Sequence, residues 1–513
     1  MNGEAYSPIA IGVFLFFFII VTVLGFVASR WRRGDLNQID EWGLGGRRFG
    51  SFVTWFLLGG DLYTAYTLIA VPALVYAVGA FGFFAMPYVI LVYPFVFLTM
   101  PRLWNVCRRH GWVTNADFVE GRYASRTLAL AVAVTGVLAT MPYIALQLVG
   151  LEYIFKGMGL DTIGLGTETP LWIAFIVLAI YTYSSGLRAP ALIAFLKDGM
   201  LYVAIIAAAV YIPLHIGGFG EVFHRAHDLF TAKGHGGILL EPEQYWAFST
   251  VALGSAAALF LYPHSATATL SASGPNVIRN NAIWLPFYTL ILALISILGY
   301  VALADGIHVT DNNMAVPALI NASFSPWFVG FCFAAIALGA LVPAAIMSIG
   351  AANLCTRNIW RPYINNNLTP KAEARIAKNL SLLIKFGALL AVLYLPTKYA
   401  IDLQLLGTIW ILQIFPAVIC GLFTRWFRGG ALLAGWAAGM AVGSVLALTK
   451  GGVTPLHDIA FAGEHFNLYI GILALAVNFA VSLAANIALK AIKREEPADQ
   501  TAAGDYADEV VEG

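Results

Sequence analysis

The stretch Gly59-Gly60-Asp61-Leu62-Tyr63-Thr64 lies in the middle of an apolar run that extends from 50 to 78. Paired glycines weaken a helix and a carboxylate in hydrocarbon is costly, so the segment does not read as an uninterrupted membrane helix. It fits a discontinuous one, whose freed carbonyls and half-helix ends can hold an ion or an anionic solute. The competing account is a tight helix crossing through small residues, with Asp61 paired locally. Pro72, further along the same run, is compatible with either.

Working outward, the whole chain of 513 residues is 60% hydrophobic and only 11% charged. Soluble domains carry about 25% charged residues, so this composition points to a polytopic membrane protein in contact with the lipid bilayer. A net charge of +1 argues against a nucleic-acid partner, which would call for a clustered basic face. A membrane helix needs about 20 apolar residues. Runs near 8–28, 50–78, 81–100, 127–150, 170–184, 190–213, 247–264, 282–304, 327–349, 380–397, 399–423, 430–449 and 467–489 meet that length or approach it. The expectation is an all-α polytopic membrane protein of about 13 transmembrane helices, in one transporter domain over 1–490.

Arg30, Arg32 and Arg33 follow the first run and Glu4 precedes it, which suits an uncleaved span with its N-terminus outside. One set of loops holds most of the Lys and Arg, including Arg47, Arg48, Arg102, Arg108, Arg109, Arg122, Arg357, Arg361, Arg425 and Arg428. The alternate loops hold only Lys156, Arg225, Lys233, Lys398 and Lys450. The positive-inside rule then puts the C-terminus in the cytoplasm. The acidic tail over 491–513 has no apolar periodicity and is expected to be disordered.

With short loops, the polar chemistry must lie at membrane depth. Besides Asp61, the candidates are Lys197 and Asp198 in the sixth run, Lys385 in the tenth, and Ala345 with Ser348 in the ninth. Asp198 can attract a cation on its way to the cytoplasm, whereas Lys197 and Lys385 are expected to snorkel toward an interface. Ala345 and Ser348, one turn apart, offer two oxygens, which is only part of a Na⁺ shell. Tyr63, Thr64, Tyr143, Gln147 and His264 are neutral groups able to meet a small carboxylate, since no arginine lies at mid-span. Neither a zinc pattern nor a G-x-S-x-G, H-E-x-x-H or P-loop sequence occurs, and no cofactor is expected.

Taken together, Glu41-Trp42-Gly43-Leu44-Gly45-Gly46-Arg47, the Asp61 segment, Ser185-Gly186-Leu187-Arg188-Ala189, Pro263-His264 and Ala344-Ala345-Ile346-Met347-Ser348 resemble the sodium:solute symporters over roughly 8–490. The nearer likeness is to bacterial monocarboxylate uptake permeases of that family, carried by 59–66, 71–76, 141–150 and 344–353. The resemblance implies leucine-transporter-like inverted five-helix repeats, here spans 2–6 and 7–11. It also implies a secondary active transporter of the bacterial inner membrane, taking up lactate, pyruvate, propionate or acetate with a coupling cation, Na⁺ or H⁺. Its sodium ligands map to carbonyls of Gly59, Leu62 and Ala345 and to hydroxyls at Ser348 and 349. Position 349 is Ile, so one hydroxyl is missing. Asp198 matches an acid on the sodium exit route, and Asp61 or Asp198 would carry the proton if H⁺ drives uptake. Rival readings are a symporter for alanine, another amino acid or pantothenate, a polytopic enzyme using His264 with Asp198, and a transceptor signalling through the tail.

Overall fold

The computed structural model describes residues 7–31, 34–60, 62–160, 168–394, 401–448, 453–461, 463–492 and 498–508. Its first helix, α1 (Pro8–Val27), starts with Pro at the first position, and the Ser7 hydroxyl accepts from the Ala10 amide, both favourable at a helix start. Ile9, Phe16, Ile19 and Val23 of α1 point outward, as side chains do where the surroundings are lipid.

The run over 50–78 is divided. Helix α2 (Ser51–Gly60) stops at the glycine pair, and α3 (Tyr66–Val78) begins beyond it. Then come α4 (Ala85–His110), α5 (Arg126–Gly157), α6 (Glu168–Ser185) and α7 (Arg188–Ile216). A second division follows. Helix α8 (Tyr245–Ala258) tightens into one 3-10 turn ending at Leu261; Tyr262 is extended, with ψ of 142°; and α9 (Pro263–Leu270) restarts on proline. The physical cause is local, since a proline pushes the residue before it out of the helical region while suiting the first turn of the next helix.

The chain continues through α10 (Pro275–Ala304), α11 (Pro326–Cys355), α12 (Pro370–Tyr394), α13 (Ile401–Phe423) and α14 (Gly429–Leu448). An antiparallel hairpin of β1 (Leu456–Phe461) and β2 (Glu464–Tyr469) precedes α15 (Ile470–Ala491). The architecture is thus helical as expected, with one small hairpin added. Ten helices are long and apolar enough to cross a membrane among the described residues, and α2, α3 and most of α6 form shorter apolar helices. Length and hydropathy therefore establish a multi-pass membrane protein, and the count of thirteen stays a proposal.

Helices α5 and α11 lock the two breaks together, running antiparallel between them. A Cβ on Gly150 of α5 would lie 2.3 Å from Ala65 at the first break, and one on Gly136 would lie 3.0 Å from Pro263 at the second. On α11, Gly339 faces the Tyr63 carbonyl and Gly350 faces the Pro263 carbonyl, where a Cβ would come within 3.4 and 2.7 Å. Eleven residues are three helical turns, so Gly339 and Gly350 share one face. Small residues let backbones approach this closely without a hydrophobic driving force between helices.

The tail departs from its expected disorder over 498–508. Asp499 pairs with Arg122 at 3.0 Å, His110 with Asp505 at 2.9 Å and Arg279 with Asp508 at 2.8 Å. The Gln500 amide donates to Gly121 O, and Tyr506 is buried. The acidic composition that suggested a solvated tail is what the basic loops beneath it attract.

Candidate functional site

Helix α2 ends in mid-core, leaving its last carbonyls without intrahelical donors. Lys197 of α7 supplies one: its ammonium donates to Gly60 O at 2.7 Å and, more weakly, to Tyr63 O at 3.4 Å. The adjacent Asp198 pairs with the ammonium through Oδ1, 2.9 Å away. Its Oδ2 accepts from the Tyr288 hydroxyl of α10 at 2.7 Å. Lys197 and Asp198 are both fully buried. The expectation that Lys197 snorkels is corrected, because its amine turns inward to the broken helix. Lys385 is likewise buried, donating to Ser381 Oγ at 2.9 Å.

The start of α3 is built from side chains around it. Thr64 Oγ1 accepts from the Tyr66 amide at 3.1 Å, and Thr67 Oγ1 accepts from the Thr64 amide at 3.0 Å. The Ala65 amide donates to Gln147 Oε1 on α5 at 2.9 Å. Thr64 and Gln147, expected as solute contacts, thus cap the first break, satisfying amides that a helix start leaves orphaned. Tyr63 also turns away from the second break: its hydroxyl donates to the Tyr288 carbonyl, and its ring lies 4.5 Å from that of Tyr288. Asp61 lies outside the described residues.

The second break gathers neutral groups. The rings of Tyr143, Tyr262 and His264 form a triangle with centroids 5.2 to 5.5 Å apart. The Tyr262 hydroxyl meets Thr408 Oγ1 at 3.2 Å, and Gln404 Nε2 donates to the same oxygen at 2.9 Å. Among the described residues, neither Gln404 Oε1 nor the Tyr66 hydroxyl has a hydrogen-bond partner, although both are buried. Buried polar groups are rarely left so, and a bound solute or water is the usual explanation. A narrow cavity runs alongside, bounded by Asn115, Leu261, Pro263, Thr267 and Gly350. The structure thus brings Tyr143 and His264 together, with Tyr262, Gln404 and Thr408 from stretches that are each weak signals alone, and Tyr66 is the addition. The motif Tyr262-Pro263 was the available signal, since it breaks a helix.

The sodium ligands implied by the resemblance are engaged with the protein. Gly59 O accepts from the Leu62 amide at 2.9 Å, Leu62 O from Thr67 Oγ1 at 3.0 Å, and Ala345 O from Ser348 Oγ at 2.8 Å. Ile349 adds no oxygen. Every described site residue named in this section from Tyr63 to Ser348 is at most 4% exposed, so these side chains are closed off from solvent.

Two mid-core breaks locked by a pair of antiparallel helices are the kind of arrangement from which transporter folds build solute and ion sites. The family model described as the sodium:solute symporter family matches residues 42–439, which is most of the chain. The chain belongs to the sodium:solute symporter family. This symporter is 57% identical to the "Monocarboxylate transport permease protein" of Rhizobium johnstonii over 483 residues, covering 94% of this chain and 97% of the relative. It is 34% identical over 439 residues to the uncharacterised symporter YodF of Bacillus subtilis, covering 84% of this chain and 87% of that one. In fold it matches a solved Na⁺-coupled sialic acid symporter in a substrate-bound outward-open state, with a TM-score of 0.76, 13% identity, and coverage of 94% and 98% of the two chains. The symporter is a transporter and not an enzyme.

Proposed function

We propose that this symporter takes up a short monocarboxylate, of the class of lactate, pyruvate, propionate or acetate, across a bacterial inner membrane with a coupling cation, Na⁺ or H⁺. The observation that carries the reading is the 57% identity, along nearly the whole length, to a relative named for monocarboxylate transport. The second break supports it chemically. The amino end of α9 presents the positive end of a helix dipole, and Tyr143, Tyr262, His264 and Gln404 surround it. A singly charged carboxylate is small enough to be held by helix amides and neutral donors without a buried arginine.

In the cycle, solute and cation bind an outward-open form, α3 and α9 close over them, and rocking of the broken-helix core opens the cavity beside Asn115 and Pro263 to the other side. Binding drives this only through stronger contacts in the closed state. The N-terminus lies outside and the C-terminus inside, following the distribution of Lys and Arg.

The test is uptake of labelled lactate into proteoliposomes, with the Na⁺ gradient and the pH gradient imposed separately. Accumulation under either gradient, competed by pyruvate and propionate, is the expected outcome. Accumulation of alanine or pantothenate in place of lactate would move the assignment to another solute.

A further inference from the structure

At the first break the structure holds a cation that belongs to the protein. The Lys197 ammonium sits against the last carbonyl of α2, within reach of the Tyr63 carbonyl and paired with Asp198. Carbonyls of an unwound segment plus one carboxylate form the kind of oxygen set that would otherwise receive a metal cation. These oxygens lie one residue beyond Gly59 and Leu62, the positions where the family resemblance puts sodium. The ligand set around those positions is also depleted: Ile349 has no hydroxyl, Leu62 O already takes the Thr67 hydroxyl, and Ser348 Oγ donates to Ala345 O.

The elements packed around Lys197 bring little further charge. Helices α1, α2 and α11 contain no Asp, Glu, Lys, Arg or His, and α10 and α7 contribute the neutral Tyr288 and Tyr202. Asp61 lies outside the described residues. Among the described residues, a second cation entering this segment would therefore meet the ammonium in a low dielectric, with Asp198 already neutralised by it.

We propose that Lys197 is a tethered cation that fills the place of a bound metal at the first break, so that this site takes no Na⁺. The ammonium holds the end of α2 to α7 through every step in which a Na⁺-dependent relative would hold it with a diffusible ion. The residues present thus do not fit the sodium site, and accumulation is expected to follow the pH gradient. The transport arm of this proposal rests on the monocarboxylate reading, whereas the stability arm does not.

The stability arm compares thermal unfolding of the purified full-length protein in NaCl and in choline chloride at equal ionic strength. Equal midpoints are expected, because a ligand raises the midpoint only if it binds the folded state. In Lys197→Thr, which removes the ammonium and offers a hydroxyl, a Na⁺-specific rise is expected to appear. The transport arm measures exchange of labelled lactate in reconstituted vesicles free of Na⁺, where wild-type exchange is expected to persist undiminished. A Na⁺-specific rise in the wild type, loss of exchange without Na⁺, or a folded Lys197→Thr indifferent to Na⁺ overturns the proposal. If Lys197→Thr does not fold, the two wild-type measurements decide. If lactate fails to exchange in any salt, the substrate reading falls while the unfolding comparison still decides the role of the lysine.

Discussion

The two breaks have the same backbone device and opposite chemistry. At the first, α2 ends on carbonyls met by a buried ammonium, and α3 starts on amides met by Thr64, Thr67 and Gln147. At the second, Asn115 Nδ2 donates to Leu261 O at 3.1 Å, and α9 opens toward Tyr143, Tyr262 and His264. The backbone ends at the first break are thus closed by the protein's own polar groups, whereas at the second Gln404 Oε1 and Asn115 Oδ1 are buried in want of a hydrogen-bond partner among the described residues. The contrast separates a joint that must hold its shape from a pocket that must accept something.

The largest effect that could break this comparison comes from the ion pair. Lys197→Met leaves Asp198 buried and uncompensated, which is expected to cost about 3–5 kcal/mol of stability. The double change Lys197→Met with Asp198→Asn removes both charges and is expected to recover most of the loss, as read from unfolding midpoints in detergent. If the single and double variants unfold alike, the pair is not what holds the first break.

Next come the glycines of α5 and α11. In Gly350→Ala the new Cβ meets the Pro263 backbone at 2.7 Å, whereas in Gly150→Ala its closest neighbour is the Ala65 methyl, at 2.3 Å, with the Ala65 backbone at an ordinary 3.4 Å. Overpacking of this kind costs about 1–3 kcal/mol. Because α9 is short and must move, Gly350→Ala is expected to cut the uptake rate roughly tenfold or more. Gly150→Ala should lower stability more than rate. Equal effects on rate would mean that the two breaks move together as one body.

A smaller effect distinguishes Tyr143 from Gln147. Tyr143→Phe keeps the ring packing and removes one hydroxyl, so KM for lactate is expected to rise about twofold to tenfold. Gln147→Ala strands the Ala65 amide, at about 1–3 kcal/mol in stability, without a selective change in KM. The reverse pattern would put the solute at the first break.

Much of this arrangement was legible in the sequence, and the failures have physical causes. Gly59-Gly60-Asp61 announced the first break because two glycines and an acid are improbable together in hydrocarbon. The second break carries no such cluster: only Tyr262-Pro263 marks it, and a proline fits a helix end equally well. Lys197 suits snorkelling only if its helix begins with the apolar run at 190. Counted from Arg188, nine residues at 1.5 Å each put it about 13 Å along the helix, too deep for its side chain to reach an interface readily. Gln404 and Thr408 sit one turn apart on α13, but Tyr66 and Tyr262 come from other segments, and no local pattern relates the three stretches. The basic residues under the tail, Arg109, His110, Arg122 and Arg279, are likewise distant in sequence from 498–508.

That tail gives the smallest and most conditional effect, and it contrasts with the buried pair at the first break because its charges face water. Arg279 and Asn105 hold the Asp508 carboxyl below its ordinary range. Partial burial opposes the shift at Asp505, but the Ala502 amide and His110 still leave its carboxyl lowered. A carboxyl depressed in the docked state favours docking at pH values above its undocked range, and that contribution is lost as pH falls through the docked one. A spin label at Ala503→Cys, an exposed site in the segment, is therefore expected to stay immobilised at neutral pH and to become mobile as the medium is acidified below the ordinary carboxylate range. Salt should loosen it as well, since these pairs are partly exposed and screened. Lys197 and Asp198 are beyond the reach of that screening, so the unfolding midpoint should respond to salt far less than the label does. A label that stays immobile through both changes would mean that Tyr506 and the backbone contact to Gly121 hold the segment without help from its charges.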